Sequence, residues 1–357
     1  MDKRTICLRC VPDFRSLLIV MHLTMLFLLP AQPAWSDSDG DSYVLRQVVQ
    51  EAHALFSGIT EGANADYIPE LSRVPSELFG LALITVDGRV FTAGDADYEF
   101  SIQSVSKPFT AALVLQEFDN PAVIVEKVGV EPTGLPFNSI LAMELHPARS
   151  VNPLVNAGAI ATVSLVPAEN NAKRFLKIKQ FFEALAMREL NVITEVYRSE
   201  AATNQSNRAI AHLLKKYGRI YADPEETLDV YTRQCALGVS ARSLAMMGAT
   251  LANDGINPVN KQKILEGRHI PRILAIMQTA GFYDESGQWS YNVGLPAKTG
   301  VGGGIVAVAP GRMAIAAFSP RLNRSGNSIR AMRAIEYVSR RLALGLFQPL
   351  REKGIRR

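Results

Sequence analysis

Two apolar hairpins near opposite ends of the chain do most to limit how it can fold. In the first, Leu81 to Val86 and Val90 to Ala93 flank Asp87-Gly88, a pair able to supply the positive φ angles of a tight β-turn. In the second, Gly304 to Ala309 and Met313 to Phe318 bracket Pro310-Gly311-Arg312. Between the hairpins, from Pro108 to Leu265, helical signals predominate, broken by loops such as Pro132 to Asn138 and Asn152 to Gly158. Helical periodicity also marks Val44 to Phe56 and, after the second hairpin, Ile329 to Leu344. Strands at both ends with helices between them imply one antiparallel sheet assembled from the two chain ends, flanked by helices and carrying a helical insertion. The class is α/β in the α+β sense. The α/β part is expected over about 37–120 and 275–357 and the helical part over about 121–274, with a cleft at their junction.

Composition fits a globular chain with a substantial core, 48% of its 357 residues being apolar and 20% charged. The net charge of +4 is partly held in Lys3, Arg4, Arg9 and Arg15, so the remainder is nearly neutral. Without a basic stripe and interleaved aromatics, nucleic-acid binding is not expected. Arg351 to Arg357 reads as a solvated tail. At the other end, a basic stretch precedes the apolar run Leu17 to Leu29 and the small residues Ala34 and Ser36, which is the grammar of a signal peptide. The run is shorter than the roughly 20 residues of a spanning helix. Residues 1–36 are therefore expected to be removed, leaving a periplasmic or secreted protein without stable membrane attachment. An uncleaved anchor or a cytoplasmic enzyme with a misassigned start is the alternative. A polar joint, Asp37 to Asp41, follows. Cys7 and Cys10 fall inside the signal, leaving Cys235 alone, and the five histidines are scattered. No metal or other cofactor is expected.

Two short motifs carry chemistry. Ser104-Val105-Ser106-Lys107 has the form S-x-x-K and runs into Pro108 and an apolar helical stretch. Proline belongs near the first turn of a helix, so the helix should begin close to Ser104, with the hydroxyl and the amine three residues apart on one face. A neutral lysine in a desolvated pocket can take the serine proton. The same pattern also fits an ordinary capped helix start. Ser106 is a rival nucleophile, although its neighbour Lys107 points about 100° away around the helix. Lys298-Thr299-Gly300, followed by Val301 and Gly302-Gly303-Gly304, supplies K-T-G, the second element of serine acyl-transfer enzymes of the penicillin-recognising type. Backbone amides of Ser104 and Val301 are candidates for an oxyanion hole.

The stretch from about Asp66 to Ser328 resembles the bacterial-type glutaminase family, a relative of the serine β-lactamases. The matching blocks include Ala65-Asp66-Tyr67-Ile68-Pro69, Gln103 to Lys107, Glu131 to Gly134, Pro136 to Ser139, Asn152 to Ile160, Ser199-Glu200, Asn207 to Ala211, Gly294 to Gly304 and Gly326-Asn327-Ser328. The resemblance implies a β-lactamase/transpeptidase-like fold and hydrolysis of L-glutamine to L-glutamate and ammonia. It also implies Ser104 as nucleophile, Lys107 as base, and Tyr67 and Tyr283 as candidate proton shuttles. Substrate contacts carry over onto Ser104, Asn156, Glu200, Asn207, Tyr231, Tyr283 and Val301. Glu200 suits an α-ammonium, and Asn156, Asn207 and Tyr231 can donate to an α-carboxylate. The family also implies a homodimer or homotetramer. This sequence departs from the family in having Ser206 where an arginine is usual, Ala331 where a glycine is frequent, and an export signal. A β-lactamase or peptidoglycan peptidase shares both motifs, and an amino-acid sensor with a decayed site is the non-enzymatic alternative. Glu200 has no obvious partner in a penicillin carboxylate, and the catalytic motifs are intact.

Overall fold

The computed structural model describes residues 39–347. The signal segment, Cys7, Cys10 and the basic tail lie outside the described residues. Five strands form one antiparallel sheet: β1 (Gly80–Thr85), β2 (Val90–Gly94), β5 (Ala297–Thr299), β6 (Gly304–Ala309) and β7 (Met313–Phe318), in the order β2-β1-β7-β6-β5. The pairing of β1 with β7, Leu81 opposite Ala317 and Ile84 opposite Ala314, joins the two ends of the chain as the hairpins require. Gly88 at the first hairpin turn has φ +99°, a backbone state that glycine adopts without steric cost. A two-stranded ribbon of β3 (Phe100–Ser101) and β4 (Gly238–Val239) stands apart from this sheet.

Both sheet faces are covered, which explains strands that are apolar throughout rather than alternating. Leu81, Leu83, Ile305 and Ile315 pack with Leu45, Val48, Val49, Ile335 and Val338. Those partners come from the helices Asp39–Phe56 and Ile329–Arg341. Ala82, Ile84, Val306 and Ala314 share the other core with Leu244, Ala245 and Met247 of the helix Ala241–Ala252. Gly248 lets that helix approach the sheet closely, since a Cβ there would lie 2.7 Å from Val306 Cγ2 and 2.8 Å from Ala314 Cβ.

Two local findings differ from the sequence reading. The first helix starts at Asp39, inside the stretch read as a polar joint. The Ala241–Ala252 helix, within the stretch assigned to the helical part, packs directly on the sheet. The remaining helices of the insertion, including Asn156–Leu165, Thr194–Thr203, Gln205–Lys216 and Pro224–Cys235, pack on one another and on the Lys107–Phe118 helix beside the sheet edge.

Candidate active site

A cavity of about 210 Å³ opens where the insertion meets the sheet edge. Ser104, Tyr67, Asn156, Glu200, Asn207, Tyr231 and Val301 line it, together with Gln103, Phe137 and Ser206. Residues from seven separate segments thus converge on one space. Ser104 sits in a 3-10 turn, Gln103–Ser106, that leads into the helix Lys107–Phe118 with Pro108 in its first turn. Gln103 holds φ +48°, a left-handed state unusual for a residue with a side chain, and the turn it creates presents Ser104 to the cavity.

Lys107 is buried to 1% exposure and, among the described residues, hydrogen-bonds to no carboxylate. Its Nζ donates to Asn156 Oδ1 at 2.7 Å and to the Leu154 carbonyl at 3.4 Å. Desolvation brings its pKa down to about 8, against the opposing pull of nearby Glu200. Among the described residues no hydrogen bond joins Lys107 to the Ser104 hydroxyl, which lies instead beside the Tyr283 phenol. The sequence reading placed the amine and the hydroxyl on one helical face; here Asn156 holds the amine.

Asn156 is the hub of this network. Its Oδ1 accepts from Lys107 and, at 3.4 Å, from the Tyr231 hydroxyl, while its Nδ2 donates to Asn207 Oδ1 at 2.8 Å. Glu200 is also buried, and desolvation lifts its carboxyl to about 7, moderated by the Gln103 amide and by Lys107. Gln103 Nε2 donates to Glu200 Oε2 at 3.1 Å. Tyr231 and Tyr283 are buried and held above the usual phenol range by desolvation. Tyr67 leaves half of its surface exposed, yet its hydroxyl is desolvated and raised too, with Tyr283 and Glu200 adding to the effect.

The K-T-G strand, β5, lies at the edge of the sheet against the serine turn. A Cβ on Gly300 would stand 3.2 Å from the Ser104 amide nitrogen, and one on Gly302 would stand 2.4 Å from the Ser101 carbonyl. Neither the Ser104 amide nor the Val301 amide donates to a protein acceptor among the described residues. Both remain able to bind an oxygen in the cavity. Lys298 does not line the cavity. It is fully buried, donates to the Gly281 and Thr299 carbonyls at 3.1 and 2.7 Å, and lies 4.2 Å from the centre of the Tyr283 ring. Tyr283 adopts φ +57° and contacts Phe137 at 4.6 Å between ring centres.

Ser106 is set apart from this chemistry. Its hydroxyl is completely buried, donates to the Gln103 carbonyl at 2.6 Å and accepts from Gln234 at 2.9 Å. Gln103 is the residue that the sequence reading passed over. It was visible as part of a matched block, but neither its left-handed backbone nor its reach to Glu200 has a local sequence signal. Ser206, one of the departures from the family pattern, forms part of the cavity wall.

A family model described as Glutaminase matches residues 62–347. The glutaminase of Colwellia psychrerythraea is 49% identical over 304 residues, covering 85% of this chain and 97% of that protein. The glutaminase of Mycobacterium ulcerans is 51% identical over 303 residues, covering 85% and 94%. Among solved structures, probable glutaminase ybaS matches with a TM-score of 0.85 at 47% identity, over 87% of this chain and 100% of that one. Mglu in its glutamate form matches with a TM-score of 0.81 at 37% identity, over 85% and 70%.

The two perturbed groups predict a pH profile. Glu200 raised to about 7 is neutral in acid and charged above that value, whereas Lys107 lowered to about 8 becomes an available base only as pH rises through 8. Both changes act in the same direction, so kcat/KM for an amino-acid amide should climb between about pH 6 and 8.5. Glu200→Gln should remove the lower limb and reduce kcat/KM by about tenfold or more, the worth of one charge-assisted contact. Steady-state rates across pH check this. A flat profile, or an unchanged lower limb in the variant, contradicts it.

Proposed function

Since the chain belongs to the glutaminase family, we propose that Ser104 is its nucleophile and Lys107 the base that activates it. The reaction is a serine-type hydrolysis of L-glutamine to L-glutamate and ammonia. One observation carries the assignment of residues: the Ser104 hydroxyl, three residues before a lysine desolvated by burial, opens into the same cavity as the carboxylate of Glu200 and Val301, and the Ser104 and Val301 amides have no protein acceptor among the described residues. The glutamate form of the similar Mglu supports an amino acid as occupant.

In this reading Glu200, steadied by Gln103, takes the α-ammonium, while Asn207 and Tyr231 face the α-carboxylate. The γ-carbonyl lies over Ser104 with its oxygen toward the Ser104 and Val301 amides. Neutral Lys107 accepts the Ser104 proton as Oγ bonds to the carbonyl carbon of the side-chain amide, and the oxyanion forms against the two amides. Tyr283, assisted by Tyr67, passes a proton to the departing nitrogen, and the C–N bond breaks to give ammonia and a γ-glutamyl ester. Water then attacks that ester, its proton returns to Ser104 through the same groups, and glutamate leaves. Lys298 lies behind the Tyr283 ring and holds its orientation.

The edge position of the K-T-G strand beside the S-x-x-K turn also supports kinship with the serine β-lactamases and transpeptidases. The α-ammonium reader at Glu200 favours an amino acid over a penicillin. We further infer export from the composition of residues 1–36, and a homodimer or homotetramer from the family. Protein from its native host should begin near Asp37 by intact mass and should assemble in light scattering. A full-length product, or a monomer, contradicts the respective inference.

Ser104→Ala should abolish glutamate release while leaving the melting temperature near that of the parent, because it removes one atom from a cavity wall. Lys107→Ala should be nearly as severe, since residues acting as a unit are not additive. Ser106→Ala should keep turnover. Glutamate release together with thermal melts checks all three, and a folded Ser104→Ala enzyme with near-parent turnover contradicts the assignment.

A further inference from the structure

The proposed catalytic cavity shares part of its wall with a neighbouring space. That space is a larger groove, about 800 Å³, and Tyr67 and Phe137 line both. Neither Glu200 nor Asn207 lines this groove. Gly326 belongs to it and ties it to the catalytic wall: a Cβ there would lie 3.4 Å from Val301 Cγ1, 3.6 Å from the Tyr283 ring and 3.8 Å from the Phe137 ring. A glutamine held at its α-end by Glu200, with its γ-oxygen at the Ser104 and Val301 amides, has one remaining γ-substituent. That is the amide nitrogen, and it faces the Tyr67, Phe137 and Tyr283 partition.

The lining of the groove is chemically specific. Ala63, Ala65, Leu322 and Ile329 give it apolar surface, and Glu61, Asp66 and Glu285 place three carboxylates around that surface against one guanidinium, Arg324. Glu61 is bound by Arg333 at 2.8 Å, whereas Glu285 is held by the neutral amides of Asn323 and Asn327 and has no cation against it among the described residues. Ammonia needs none of this space. An alkyl chain ending in a cation would use both the apolar surface and the charge.

We propose that the groove is a leaving-group subsite, and that the enzyme also hydrolyses N-substituted γ-glutamyl amides, above all those of alkylamines bearing a second cationic group. The inference rests on the acyl-enzyme reading of Ser104. The bonds balance as they do for glutamine: the Ser104 Oγ–carbon bond forms, the carbon–nitrogen bond breaks, and the amine leaves with the proton taken from Ser104. Water then releases glutamate. Only the destination of the leaving nitrogen differs.

The test compares L-glutamine with γ-N-ethyl-L-glutamine and γ-N-(2-aminoethyl)-L-glutamine, using full-length enzyme and glutamate release. The parent should cleave both substituted amides and prefer the aminoethyl compound, with the preference shrinking in high salt. Ser325→Trp, at a groove residue outside the catalytic cavity, should lower kcat/KM for both by about tenfold or more while leaving glutamine within about twofold. Should that variant fail to fold, Arg324→Glu replaces it and should increase the preference for the aminoethyl compound. A parent that releases glutamate from glutamine but from neither substituted amide overturns the subsite. So does a folded variant that leaves the relative rates unchanged. Failure of the serine assignment looks different, because Ser104→Ala would then retain glutamine hydrolysis.

Discussion

The site depends on burying an amine without giving it a carboxylate. Lys107, at 1% exposure, has a carboxamide and a carbonyl for partners, so its charged form loses most of its hydration and gains no direct ion pair. Desolvation therefore dominates, and the lysine titrates near 8, within reach of a working base. Much of the surrounding architecture serves that condition. The buried Lys107–Phe118 helix seals the amine from water, and the Asn156–Leu165 helix brings Asn156 to fix its direction. The K-T-G strand packs against the serine turn and contributes Lys298, a second buried lysine whose pKa burial also lowers.

Glu200 is the complementary device. An isolated buried carboxylate is costly, and its pKa of about 7 records that cost. On the proposed reading an incoming α-ammonium would supply the missing counter-charge, so that binding the substrate would relieve a penalty already present in the folded protein. Gln103 keeps the carboxylate aimed at that position through a single hydrogen bond. A molecule with a carboxylate at the same place would meet a like charge. With Glu200 in the proposed role, one electrostatic feature would both attract amino acids and disfavour penicillin-like acids.

How much of this was legible in the sequence follows the range of the interactions. Asp87-Gly88 and Pro310-Gly311-Arg312 announced both hairpins, since turn chemistry and apolar runs are local, and β6 and β7 have the boundaries read from sequence. The S-x-x-K turn and the K-T-G strand lie against each other, and of the residues named from sequence Tyr67, Ser104, Asn156, Glu200, Asn207, Tyr231 and Val301 meet at one cavity, while Lys107 and Tyr283 stand behind its wall. The Lys107 to Asn156 bond was hidden because its partners are brought together only by helix packing. The left-handed backbones of Gln103 and Tyr283 were hidden for a different reason. Neither residue type favours that state, and tertiary structure imposes it. Lys298 of the K-T-G motif lies behind Tyr283, outside the cavity that Val301 lines, a placement the motif alone does not specify.

The most direct test of the central claim is to identify the atom that attacks the carbonyl carbon of the side-chain amide. A glutamine analogue carrying a diazoketone in place of the carboxamide forms a lasting bond with the nucleophile, and peptide mass mapping locates it. The account predicts a single modification at Ser104, dependent on neutral Lys107 and therefore faster as pH rises through about 8, and blocked by L-glutamate. Modification at Ser106 or elsewhere, or inactivation with Ser104 unmodified, would contradict it.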